Sequence, residues 1–260
     1  TVDAQKLTFF EKKQTVCPVC DAKFYREELL SGGGRLIAGE LTEELRRRYE
    51  PSKKFGEVHP LVYTVLVCPA CLYATLPQDF GEPKGEALEV LKGEAERRRA
   101  DVGLVLPDLN FADYRRLEEG VGSYVLAMMC YEHFDRHSAP SFKRALCALR
   151  AAWLLRALNS RRVGENYDYL AQLFYRKARF FYFRAIELAQ SGQETLEGNV
   201  QYGPDLDKNF GYEGLLYLTG LLEFRYGPRE DRQKRVGSLE NAKRIVSKLF
   251  GTGKVSRARP

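Results

Sequence analysis

The sequence predicts an α+β protein: a small cysteine-knuckle unit at the N-terminus, followed by a mainly α array of helices. Three observations lead there. Two CPxC motifs, Cys17-Pro18-Val19-Cys20 and Cys68-Pro69-Ala70-Cys71, lie in a region of short β-type runs and many breakers that ends near Pro83. From about Lys84 prolines thin out and apolar residues recur at three- and four-residue spacing, the period of amphipathic helices. Between them these textures divide the chain into a zinc-binding knuckle domain over 1–83, a helical domain over 84–250 and a flexible basic tail over 251–260.

In the first unit, Thr15-Val16 leads into the first cysteine pair. The apolar, β-branched run Leu61–Val67, bounded by Pro60 and Pro69, predicts a buried strand into the second. Ser31-Gly32-Gly33-Gly34 reads as a loop, and Leu41–Tyr49 as a short helix stopped by Pro51. In the second unit, helices are expected near 84–100, 111–136, 141–158, 165–191, 208–226 and 232–250. Pro140-Ser141 serves there as stop and N-cap, and Gly227-Pro228 separates the last two helices. Lys254, Arg257 and Arg259 mark the tail as basic.

The double CxxC is the sharpest chemical signal. Two residues between thiols let a tight turn aim both sulfurs, and some backbone amides, at one ion, so two such turns complete a tetrahedral thiolate site. One structural zinc bound by Cys17, Cys20, Cys68 and Cys71 is the favoured reading; another metal or cluster, or a redox pair, are the alternatives. A redox CxxC occurs once, ahead of a helix in a βαβ setting that is missing here. A catalytic zinc needs an open position, and four cysteines fill the shell. His59 is expected to act behind the ligands or as a cap rather than as a fifth ligand. His133 and His137 are read as a solvated helix end, and Cys130 and Cys147 as core residues.

The CPxC followed by Phe24, then Pro60-Leu61-Val62-Tyr63, Cys68-Pro69-Ala70-Cys71-Leu72-Tyr73-Ala74 and Asp79-Phe80, resembles a bacterial family known as a conserved domain of unknown function. The resemblance implies a zinc-ribbon-like unit fused to helices similar to tetratricopeptide repeats (TPRs), and it brings no catalytic residues. Members tend to carry glycine after each knuckle; Asp21 and Leu72 stand there in this chain, which predicts looser turns. Leu216–Gly227 fits the first helix of a TPR, with Gly220 at a close helix approach and Ala242 at a small-residue packing position. The helical half is accordingly read as a TPR-like array.

Composition sets the remaining bounds. With 260 residues, 44% hydrophobic and 29% charged, the chain can bury a full core, and no apolar run is long enough to insert in a membrane. Six cysteines are too few for a disulfide scaffold of this length, and the first residues lack a basic-then-apolar leader, so a cytoplasmic protein is expected, in association with a membrane-anchored assembly as a weaker reading. The net charge of +6 is concentrated between Ser141 and Gln190, where ten basic residues meet three acidic ones. Within it, Lys143, Arg144, Arg150, Arg176, Lys177, Arg179 and Arg184 are the candidate partner-binding residues, for an acidic protein partner or, as the alternative, RNA or DNA held by arginines and stacking rings. The competing reading is a packed helix with a solvated basic face. No GxGxxG, GxxxxGK[ST] or GxSxG occurs, and Glu43-Glu44 and Glu118-Glu119 read as helix surface, so a non-enzymatic scaffold or adaptor is expected.

Overall fold

A computed structural model describes residues 7–196, 202–206 and 208–251; of the predicted tail, 252–260 lies outside the described residues. Three antiparallel hairpins come first, then seven helices, as the α+β reading anticipates. Strand β1 (Thr8–Val16) pairs with β2 (Lys23–Leu29), β3 (Ile37–Leu41) with β4 (Arg47–Glu50), and β5 (Leu66–Val67) with β6 (Ala74–Thr75). The helices are α1 (Gly85–Gly93), α2 (Ala95–Gly103), α3 (Leu117–Cys130), α4 (Pro140–Arg161), α5 (Tyr167–Gln190), α6 (Gly211–Tyr226) and α7 (Arg232–Gly251).

Two N-terminal expectations are corrected. Residues 41–49 form no helix: they are the tight end of the β3–β4 hairpin, where the Leu45 N–H donates to the Thr42 carbonyl and Leu45 adopts a left-handed φ of 58°. Of the strand expected over Leu61–Val67, only Leu66–Val67 is extended, because Pro60–Tyr63 winds into a 3₁₀ turn. Proline at the first position of that turn supplies a pre-set φ. The turn buries Leu61 and Val62 against α3, where Tyr124 Oη donates to the Leu61 carbonyl at 2.7 Å. Gly120 makes that approach feasible, since a Cβ there would stand 2.9 Å from Val62 Cγ2.

The helical expectations fare better, with local differences. The span 84–100 is two short helices meeting at Glu94, and 111–136 is α3 followed by 3₁₀ turns. Pro140 does not precede an N-cap at Ser141; it opens α4 itself, after a left-handed Ala139, and the Ser141 N–H is held by the Glu194 carboxylate at 2.9 Å. Helix α4 is apolar nearly all round and packs most of its length on α5 and α3, so it is the centre of the body. Gly220 of α6 does sit at a close approach, to Val246 of α7, and Ala242 is buried beside it.

One hydrophobic core runs from Cys17 and Val19 through α3, α4 and α5 to Leu222 and Ile245. Cys68, Cys71 and Tyr73 belong to that same core, so the knuckles are packed into the helical body rather than set apart from it.

Candidate metal centre

Each CPxC lies in the turn of a two-stranded hairpin. The last pair before the first turn is Val16–Lys23, and before the second Val67–Ala74. Both turns close with the same bonds. The Cys17 N–H donates to the Ala22 carbonyl at 2.9 Å and the Asp21 N–H to the Cys17 carbonyl at 2.9 Å. In the second, the Cys68 N–H donates to the Tyr73 carbonyl at 2.8 Å and the Leu72 N–H to the Cys68 carbonyl at 2.9 Å. Asp21 and Leu72 are left-handed, with φ of 59° and 57°, a region that glycine enters without strain. The turns are therefore not looser for lack of glycine; two ordinary residues accept the strained backbone instead.

This pair of turns brings the four predicted ligands together. The sulfurs of Cys17, Cys20, Cys68 and Cys71 all lie within 4.8 Å of one another and can hold a metal ion. Across the two knuckles, Cys17 Sγ is 3.7 Å from Cys71 Sγ, and Cys20 Sγ is 3.6 Å from Cys68 Sγ. Hydrogen bonds from the Cys17 and Cys71 thiols, helped by backbone N–H groups of Cys71 and Ala70, hold the Cys68 thiol down at about 4. Cys17 is pushed up, chiefly because its proton is shared with the Cys68 and Cys71 sulfurs. Three of the cluster's four cysteines are buried.

A cation stands beside it. Arg98 of α2 is wholly buried; its Nε and Nη2 donate to the Cys71 carbonyl at 3.3 and 3.0 Å, and its Nη1 has no hydrogen-bond partner. No carboxylate pairs with it among the described residues. A buried guanidinium without a countercharge is strongly disfavoured. Through the Cys71 carbonyl, Arg98 is joined to the cysteine cluster, whose thiols would be thiolates once a metal is bound. Arg99 adds a bond to the Ala70 carbonyl at 2.7 Å, so α2 clasps the second knuckle twice.

Behind the knuckles, the Tyr73 and Asp79-Phe80 positions form a pin into the helices. Tyr73 Oη donates to the Phe80 carbonyl at 3.1 Å, and the Phe80 ring packs on Tyr73 and Phe24. Asp79, itself buried, accepts from Tyr131 Oη at 2.6 Å and from Lys143 Nζ at 2.8 Å. Cys130 receives the Ala74 N–H at 3.4 Å; burial pushes its thiol and that of Cys147 up to about 12, as core residues.

The histidines take no part in the cluster. His59 neither caps the 3₁₀ turn that follows it nor joins the sulfurs; it lies against Glu57 and Arg161. His133 pairs with Glu94 at 2.8 Å, and His137 is exposed on the following 3₁₀ turn.

The seven basic candidates do not form one surface. Lys143 is buried on Asp79, and Arg150 is buried with its Nε on the Pro204 carbonyl at 2.8 Å. Arg144 covers the Phe181 ring and pairs with Glu132, while Arg179 pairs with the buried Glu223 at 2.5 Å. Arg176, Lys177 and Arg184 alone of the seven are exposed. The acid pairs are also not simple helix surface. Glu119 is buried, receiving the Asn110 N–H and the Arg116 side chain, and Glu44 is buried in the β3–β4 turn, receiving Trp153 Nε1 at 2.5 Å and Tyr175 Oη at 3.0 Å. Of the residues that tie the cysteines to the helices, Asp79 is marked by the Asp79-Phe80 position of the resemblance, whereas Arg98, the middle of three consecutive arginines in a charged helix, carries no signal of its own.

These features define a four-cysteine protein whose double knuckle is embedded in a helical body. The chain belongs to the family described as "Uncharacterized protein conserved in bacteria (DUF2225)", which matches residues 10–260. A protein of Borreliella burgdorferi, itself described as "Uncharacterized protein", is 39% identical over 256 residues, spanning 98% of this chain and 92% of that relative. No solved structure matches this chain. The resemblance carried by the paired CPxC motifs is thereby confirmed.

Proposed function

We propose that the four cysteines hold one zinc ion as a structural brace, and that the protein is a non-enzymatic scaffold whose TPR-like helices engage a protein partner. The observation that carries the zinc reading is the donor set itself. Four sulfurs about 2.3 Å from a tetrahedral zinc stand about 3.8 Å from one another, close to the separations between the two knuckles. Four thiolates around a divalent ion carry a net double negative charge, which the buried Arg98 offsets in part. All four positions are taken by protein, which leaves none for a reacting water and favours a structural role.

The scaffold reading rests on the outer face of α5. Arg176, Phe180 and Arg184 follow one another at four-residue spacing and are exposed, with Lys177 beside them and Tyr169 two turns earlier on the same helix. Phe224 of α6 is 64% exposed, an unusual position for a ring of that size. A basic face with exposed rings suits an acidic segment that carries apolar side chains. The Gly220–Val246 approach and the buried Ala242 favour the TPR-like reading of α6 and α7. The described residues contain no helix long and apolar enough to cross a membrane, in keeping with a cytoplasmic scaffold.

The test is to isolate the tagged full chain from a bacterial host that carries its gene, and to measure metal and co-purifying molecules together. One zinc per chain and a stoichiometric protein partner are expected. Reversing Arg176, Lys177 and Arg184 to Glu should abolish capture with circular dichroism unchanged; Arg179 is left alone because its pair with Glu223 is structural. Iron in place of zinc would overturn the metal assignment. Bound RNA that leaves steeply with salt, with no protein partner, would overturn the scaffold.

A further inference from the structure

Away from the cysteines, the β3–β4 hairpin reaches over α4, α5 and α6. The Tyr217 hydroxyl holds its Glu43 carbonyl at 3.0 Å, and the Leu45 side chain packs into the core. Between hairpin and helices is a cavity of about 620 Å³, within the range of small-molecule sites.

Five carboxylates and five arginines line its wall, and the carboxylates are already engaged. Glu43 and Glu44 are both held by Arg225, Glu40 pairs with Arg48 at 3.2 Å, and Glu57 pairs with Arg161 at 3.4 Å. Asp205 accepts the backbone N–H groups of Arg47 at 2.7 Å and Leu206 at 2.6 Å. Two wall arginines have no carboxylate partner among the described residues. Arg46 lies over the Trp153 ring, 5.3 Å from its centroid. Arg156 lies over the Tyr175 ring at 4.6 Å, and its one hydrogen bond to another side chain goes to the Tyr226 hydroxyl at 3.2 Å.

The two rings beneath them are neighbours, because Trp153 Nε1 and Tyr175 Oη donate to the same oxygen, Glu44 Oε2. Each guanidinium is thus mounted on its own aromatic ring in the wall of the same cavity, with Glu44 already holding Trp153, Tyr175 and Arg225. Burial lowers the Arg46 pKa, with the nearby Asp205 and Glu44 carboxylates opposing that shift from outside hydrogen-bonding reach. A planar cation stacked on a ring keeps its N–H edge free for bidentate contact with an oxyanion.

We infer that this cavity binds a small organic oxyanion, carrying a phosphate or carboxylate group, between Arg46 and Arg156. The inference stands apart from the zinc and scaffold readings. Trp153 is the one tryptophan of the chain, so its indole N–H resonance reports this wall and no other.

The experiment titrates the ¹⁵N-labelled full chain with inorganic phosphate, pyrophosphate and succinate, at ionic strength held constant with chloride. The indole resonance of Trp153 should move saturably with at least one probe, and the stronger of the phosphate and carboxylate probes identifies the headgroup. Arg46→Gln and Arg156→Gln, on different elements, should each weaken that binding by about tenfold or more, whereas Arg176→Gln should not. An indole resonance that starts from its wild-type position in unliganded Arg156→Gln, and an unchanged urea unfolding midpoint in Arg46→Gln, show that the hairpin remains docked. No saturable shift with any of the three probes would overturn the inference, and so would unchanged affinity in both cavity variants.

Discussion

The Arg98 guanidinium grips the Cys71 carbonyl with Nε at 3.3 Å and Nη2 at 3.0 Å, and pairs with no carboxylate among the described residues. A positive group locked to the backbone of a metal-site cysteine stabilises the charged, metal-bound form of the cluster more than the protonated one. Groups in this outer position commonly govern metal affinity by 10–100-fold. Arg98→Met should therefore weaken zinc binding by about that range in competition with a chromophoric chelator, and Arg98→Lys by less. Equal affinity in Arg98→Met and wild type would show that the cation serves packing alone.

Lys143 and Asp79 form a buried ion pair, at 2.8 Å, between α4 and the segment after β6. Removing one member leaves the other charged and buried, which costs on the order of 3–5 kcal/mol. Lys143→Met should lose roughly that much in urea unfolding. The pair Lys143→Met with Asp79→Leu should regain part of it, since no lone charge is left. Arg176→Met, at an exposed site, should stay within about 0.5 kcal/mol of wild type. A Lys143→Met protein as stable as Arg176→Met would place Lys143 back on the exterior.

These pairs also mark how far the sequence could be read. The ligands were legible because the spacing of two thiols in a turn fixes their geometry locally. The helices were legible because apolar periodicity spans many residues, and Gly220 could be placed for the same reason. The β3–β4 hairpin was not: Leu41–Tyr49 holds leucines, glutamates and arginines that favour helix, and long-range contacts of Glu44 with Trp153, Tyr175 and Arg225 decide otherwise. The same limit applies to charge. A basic residue on a helix reads as part of a solvated face, and the partner that buries Lys143, Asp79, lies 64 residues away in sequence.

The left-handed residues after the knuckles offer a local test. Asp21 is exposed and its φ is 59°, so Asp21→Gly should remove strain with no loss of packing and raise stability by about 0.5–1 kcal/mol. Leu72 has φ 57° but packs against the core, so Leu72→Gly should gain the same relief and lose apolar contact, ending near neutral or below. Chemical denaturation of the zinc-loaded protein distinguishes the two. Destabilisation by Asp21→Gly would mean that the aspartate makes up for its backbone strain elsewhere.

His59 should make stability fall in acid. Its side chain is about one-tenth exposed, and burial lowers its pKa to about 4, with Arg161 opposing protonation and Glu57 favouring it. In the unfolded chain the imidazole titrates near 6.5. Between those values the unfolded state takes a proton that the folded state refuses, so folding is undisturbed above about pH 6.5 and loses stability as the pH falls toward 4. At about 1.4 kcal/mol per pH unit, this group alone removes roughly 2–3 kcal/mol by pH 4.5. Protonation of the thiolates and carboxylates adds its own loss in the same range, which a comparison with His59→Asn subtracts, since that variant shares every other group. The stability of wild type relative to His59→Asn, measured in urea at pH 7, 5.5 and 4.5, should decline steadily with acid; a difference independent of pH would show that His59 is as free to take a proton in the folded protein as in the unfolded chain.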